Sequence, residues 1–168
     1  MIEIEPPIST TESVQGPKRI IGFDLDGTLA TGNIWESLNG IAGITWEQDQ
    51  EWLRQFESQE INHAEWFDLI SARHRASQTT RYQYAVIARS MAEGSIAPDA
   101  TSLVADLLAQ GDEVCIVSGG VDMYVGAVAE RLGVNRWFAN YTFVFDENGL
   151  NKDIIYDEDD GGAKVTYL

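Results

Sequence analysis

Lysine is scarce in this chain: three in 168 residues, with eight arginines, against 27 acidic residues. The formal charge of −16 makes nucleic acid and anionic membrane poor partners, since both need a basic face. Cysteine is scarcer still. The single Cys115 has no partner for an internal disulfide, which fits a reducing compartment and the cytoplasm. No apolar run approaches the length that spans a bilayer. The opening residues Met1–Pro7 lack the basic and apolar regions of a signal peptide. Histidine occurs twice, as His63 and His74; their spacing makes no metal motif, and both read as partly exposed. An acid-rich, lysine-poor balance also fits a salt-adapted protein.

What remains is an ordinary globular composition, long enough for one domain with a core and a small insert. Residues 1–18 hold Pro, Ser, Thr and Glu without periodicity and read as a flexible leader. An apolar strand follows at about 19–24. Residues 32–95 carry four of the five tryptophans, Trp35, Trp46, Trp52 and Trp66, read here as packing residues. Ile61, Trp66, Phe67, Leu69 and Ile70 suggest one helical face; Tyr82, Tyr84, Val86, Ile87 and Met91 suggest another. The stretch reads as a helical module inserted after the first strand. From about Ile96 a strand–helix pattern resumes. A helix starts at Pro98-Asp99, presents Leu103, Val104, Leu107 and Leu108, and stops at Gly111. Glu113–Val117 is a buried strand running into Ser118-Gly119-Gly120, and a helix spans about 122–132 to Gly133. Phe138–Phe145, the turn Asp146–Gly149 and Leu150–Tyr156 form a hairpin. Asp157–Gly162 is an acidic loop, and Lys164 opens what reads as another helix. The fold class is α/β with a parallel sheet.

The chemistry concentrates at Ile20-Ile21-Gly22-Phe23-Asp24-Leu25-Asp26-Gly27-Thr28-Leu29. An apolar strand ends in two aspartates two positions apart, at the end of the sheet where open α/β folds place ligands. In extended backbone, side chains at i and i+2 share a face. Asp24 and Asp26 can therefore converge on one reacting centre. Two carboxylates so close repel unless a cation lies between them or one is protonated. The pair suggests a magnesium site, with one carboxylate as nucleophile and the other as acid/base. The plainer alternative is a strand end followed by an Asp-Gly turn. Ser118 and the bare amides of Gly119 and Gly120, at the end of a neighbouring parallel strand, can hydrogen-bond phosphoryl oxygens. Lys164, after Gly161-Gly162, can neutralise charge there, though an exposed surface lysine is the usual case.

The first run resembles motif I of the haloacid dehalogenase (HAD) superfamily, Asp-x-Asp-x-Thr after an apolar strand. Ser118 resembles motif II. Phe138-Ala139-Asn140 through Gly161-Gly162-Ala163-Lys164 is similar to the stretch leading to the motif III lysine in phosphoserine-phosphatase-type members. Glu60–Trp66 resembles a segment of their helical cap. The resemblance covers about residues 20–168. It implies a Rossmann-like core of residues 19–31 and 96–168 with a C1-type cap at 32–95. It also implies Mg2+-dependent hydrolysis of a small phosphorylated metabolite such as phosphoserine. Asp24 would attack phosphorus, Asp26 would handle protons, and both would hold the metal. Thr28, Ser118, Gly119 and Lys164 would support phosphate binding.

Two departures qualify this expectation. The resemblance implies a fourth motif, Gly-Asp followed by another Asp, beyond the lysine. Four residues follow Lys164, and Asp157–Asp160 precedes it in a loop. The chain therefore reads as the N-terminal portion of a longer protein, with the C-terminal part of the core absent and catalysis by this piece poor or absent. Phosphoserine phosphatases also place a Glu nine positions after the nucleophile, where this chain has Asn33. Glu36 lies one helical turn further on, Trp35 is the best candidate to face the site, and Arg73 or Arg75 could meet a substrate carboxylate. Phosphoryl transfer to an acceptor other than water and a non-catalytic binding domain stay open as alternatives.

Overall fold

The computed structural model describes residues 19–156. The leader, the acidic loop and Lys164 lie outside them. The order is β1 (Ile20–Phe23), α1 (Ile34–Ile41), α2 (Trp46–Glu57), α3 (His63–Ala76), α4 (Arg81–Ser95), α5 (Ala100–Ala109), β2 (Glu113–Val121), α6 (Asp122–Leu132), β3 (Arg136–Phe145) and β4 (Asn151–Tyr156). The sheet order is β1-β2-β3-β4. β1, β2 and β3 are parallel, and β4 returns antiparallel to β3. This is the α/β, Rossmann-like arrangement expected, with four helices between β1 and α5.

Local chemistry explains the helix starts. Thr45 with Gln48, Asn62 with Glu65 and Thr80 with Gln83 form reciprocal capping boxes at α2, α3 and α4, each satisfying two backbone donors that a helix start leaves free. Asn33 caps α1 through its side chain, which accepts from the Trp35 N–H at 3.0 Å. α6 ends at Gly133 in a left-handed conformation, which glycine adopts without steric penalty.

Side chains from β2 and α6 (Ile116, Val125, Val128) form one apolar cluster with those from α1, α3 and α4 (Ile34, Phe67, Tyr84). Each large side chain so buried contributes roughly 1.5–3 kcal/mol. α4 lies against α6, and α3 against β4.

Several expectations are corrected here. β1 is the edge of the described sheet rather than a buried strand: Ile20 is 61% exposed and Gly22 is also exposed. The buried side of α4 is Tyr84, Ala88, Ala92 and Ser95, whereas Tyr82 and Val86 face solvent. Small alanines carry that face because α4 packs closely on α6, so a search for large apolar residues misplaces it. Leu69 on α3 and Leu103 on α5 are likewise exposed. Trp46 is 62% exposed and is not a packing residue. His74 is fully buried, with both ring nitrogens hydrogen-bonded; only His63 is partly exposed.

Candidate active site

β1 ends at Phe23, paired with Ile116 of β2. Asp24 therefore emerges at the carboxyl end of β1, level with Val117 and one step short of Ser118. Leu25 is fully buried between half-buried Asp24 and exposed Asp26. Its carbonyl accepts from the N–H groups of Thr28, Leu29 and Ala30 at 2.9–3.2 Å. Gly27 donates to the Ala30 carbonyl at 2.8 Å with φ +76°, a conformation that favours glycine. The loop is tied to the end of α4: Thr31 N–H donates to Ser95 O at 2.7 Å, and Ala97 N–H to Leu29 O at 2.9 Å. A burial of Leu25 and a tight turn thus fix where the two aspartates leave the chain. Thr28 lies exposed on this turn.

β2 continues to Val121, but its pairing with β3 is irregular between Ser118 and Val121. Gly119 is partly exposed there, and Ser118 and Gly120 are buried. Gly120 N–H donates to Ser118 Oγ at 2.9 Å. A Cβ on Gly120 would lie 3.0 Å from Ser118 Oγ and 3.3 Å from Asp26 Oδ2. A carboxylate from the first loop and a hydroxyl from the second thus close around one glycine. Irregular strand ends of this kind recur beside active sites. Sequence offered Gly120 only as a bare amide; its crowding against Asp26 is visible only across the fold. The buried phenol of Tyr124 was not singled out by sequence. Its hydroxyl lies 2.7 Å from Ser95 Oγ. Its pKa is raised, first by burial and then by the negative charge of Asp26.

The other expected residues spread more widely. Asn33 and Trp35 line a cavity of about 210 Å3 between α1, α2, α3 and β3. Trp35 packs edge-on to Tyr141, ring centroids 5.1 Å apart. Glu36 is exposed on the first turn of α1. Arg73 is exposed on the last turn of α3. Arg75 pairs with Asp153 at 2.8 Å and so is engaged with the hairpin. Asp24 and Asp26 offer hard oxygen donors of the type magnesium takes, and that ion commonly uses one or two carboxylates with water and phosphate. Among the described residues, no group of three or more His, Cys, Asp or Glu side chains is placed to hold a metal.

A family model described as haloacid dehalogenase-like hydrolase matches residues 21–163. The chain belongs to this family. The match begins in β1 and takes in Asp24, Asp26 and Ser118. No curated protein matches the chain. Among solved structures, a HAD family hydrolase from Salmonella enterica serovar Typhi is similar with a TM-score of 0.66 at 18% identity, over 83% of this chain and 45% of that one. A phosphoserine phosphatase from T. onnurineus gives 0.64 at 20% identity, over 90% and 70%. A substrate-bound phosphoserine phosphatase complex gives 0.64 at 19% identity, over 84% and 64%. At these identities the likeness is one of fold. This HAD chain spans from under half to about two thirds of the length of such structures. Among its described residues, no helix is long and apolar enough to cross a membrane.

Proposed function

We propose that this HAD-family chain carries the aspartate site of a phosphomonoester hydrolase acting on a small phosphorylated metabolite, phosphoserine among the candidates. The observation that carries the reading is the approach of Asp26 Oδ2 and Ser118 Oγ around Gly120, beside the strand end that presents Asp24. A carboxylate oxygen of Asp24 attacks phosphorus as the bond to the leaving alcohol breaks, giving an aspartyl-phosphate. Asp26 donates its proton to the departing oxygen. It then takes a proton from water, whose oxygen attacks phosphorus and releases Asp24 and inorganic phosphate. Ser118 and the Gly119 amide hold phosphoryl oxygens. Thr28 steadies the turn, and Lys164 adds positive charge. Asp24 and Asp26 would hold Mg2+, which when bound screens the negative charge of nucleophile and phosphate. With a net charge of −16, such local screening has to overcome long-range repulsion of the substrate. The four inserted helices would act as the cap that excludes water and reads the leaving group.

Beryllofluoride, a mimic of the phosphoryl group on an aspartate, gives the direct test. With Mg2+, a bound fluorine-19 signal is expected for the chain and none for Asp24→Asn. A bound signal that survives Asp24→Asn, or none with either protein, overturns the reading. The second outcome would favour a binding role.

A further inference from the structure

The cavity between α1, α2, α3 and β3 has a chemistry that the phosphate site does not explain. We propose that it receives a small organic ammonium group, and that the phosphomonoester acted on carries such a group without a carboxylate. This deepens the hydrolase reading above and rests on it.

Size comes first. At about 210 Å3 the space is below the roughly 300–1,000 Å3 of pockets for drug-sized ligands. It suits a substituent rather than a large molecule. Charge comes second. The lining holds one ionisable acid, Asp49, and no arginine, lysine or histidine. A ligand carboxylate there would meet a like charge and no counter-ion, which is unfavourable in a partly desolvated space. Asp49 Oδ1 accepts from Asn39 Nδ2 at 2.9 Å, and that neutral amide supplies no counter-charge. Burial holds the Asp49 carboxyl above its ordinary pKa, and the charge of nearby Glu36 adds to this. A cation entering the cavity would relieve both effects.

The walls are the third argument. Trp35, Trp66, Phe67 and Tyr141 all line the space. Aromatic rings attract ammonium groups through their quadrupoles, by about 0.5–2 kcal/mol per contact. Position is the fourth. Asn33 lies on the cavity wall immediately beyond the loop that carries Asp24 and Asp26. Tyr141 pairs with Val121, three residues past Ser118. One wall of the cavity therefore lies toward the end of the sheet that carries the aspartates. Phosphoserine carries both ammonium and carboxylate and matches this lining less well than the phosphate ester of an amino alcohol.

The test is a tryptophan-fluorescence titration of the chain with tetramethylammonium, choline and serine. Saturable quenching by the first two is expected, with serine at least about tenfold weaker, or ~1.4 kcal/mol. Asp49→Asn keeps an acceptor for Asn39 and should weaken choline at least tenfold with an unchanged near-ultraviolet circular dichroism spectrum. Asp24→Asn should bind choline as the parent does. No saturable response to either cation, equal affinity for serine, or indifference to Asp49→Asn in a folded variant would overturn the proposal. Choline binding without beryllofluoride capture would support the ammonium site while overturning the phosphomonoester reading.

Discussion

Gly120 shows how little a single residue needs to be in order to matter. It contributes no side chain, yet the space its missing Cβ would occupy is bounded by Ser118 Oγ and Asp26 Oδ2. At 3.0 and 3.3 Å both neighbours would have to yield to an added methyl. Ser118 is buried and has little room to do so, which leaves the Asp26 carboxylate as the group that moves. For Gly120→Ala we therefore expect a loss of beryllofluoride capture of about tenfold or more. The cost in stability should stay within the 1–3 kcal/mol typical of overpacking. Titration of capture alongside a urea unfolding curve checks this; full capture by the variant would show that Asp26 does not act from that position. The adjacent Ser118 and Gly119 were legible in sequence because a hydroxyl and bare amides after a strand have an obvious use. The crowding at Gly120 was not, because Asp26 lies on a loop 94 residues before it.

The inserted helices are joined by one polar chain that no helical pattern announces. Asp49 of α2 accepts from Asn39 of α1 at 2.9 Å. Asn39 Oδ1 lies 2.9 Å from Nε2 of His74 on α3, and His74 Nδ1 lies 2.7 Å from the Tyr84 hydroxyl on α4. Because the Asn39 amide donates to Asp49, its oxygen accepts from Nε2–H. In a neutral imidazole Nδ1 then accepts from the Tyr84 hydroxyl. Burial pushes the His74 pKa down from 6.5 to about 4. Between those values the unfolded chain binds a proton that the folded chain excludes. Stability therefore rises with pH across that window and is lost as pH falls. At pH 5 the loss amounts to about 2 kcal/mol, taking ~1.36 kcal/mol per pH unit. Asp49 and Asp122, whose pKa values are raised by burial, act in the opposite sense, favouring the fold at low pH and losing that effect as pH rises through their folded values. Comparing the parent with His74→Gln isolates the histidine. Between about pH 7.5 and 5 the parent should lose several degrees more in Tm than the variant, and parallel melting curves would refute the assignment.

At the scale of the whole molecule, charge is the dominant feature. Among the described residues, six ion pairs engage Arg19, Arg54 (with both Glu51 and Glu60), Arg75, Arg131 and Arg136 with acids. All five arginines are substantially exposed, and such pairs contribute little each. The −16 net charge already counts every arginine and lysine, so all of it stays uncompensated by these pairs, and self-repulsion should weaken the compact state at low ionic strength. The screening length falls from about 30 Å at 0.01 M to about 3 Å at 1 M. A Tm that climbs steadily over that range is expected, and salt-independent melting would rule out both the repulsion and the salt-adapted reading. The hairpin works at this scale too. Its Tyr141 and Tyr156 rings pack on Phe67 of α3, with centroids 5.0 and 4.8 Å apart. The sheet and the inserted helices therefore share aromatic contacts.

Local chemistry determined the elements and their order. Three capping boxes, the glycine stops and the alternation of apolar runs with turns are written in neighbouring residues. They set α/β connectivity, and the strand-end aspartates marked the site with it. Contacts across long separations were decided only when the chain closed. The meeting of Asp26 with Ser118 depends on parallel pairing of β1 with β2. The neutrality of His74 depends on burial of α3 against α1, α4 and β3. The aromatic and acidic cavity draws on α1, α2, α3 and β3 together. Sequence periodicity describes what a residue's neighbours along the chain require. These features arise from partners brought close by packing, and no local pattern encodes them.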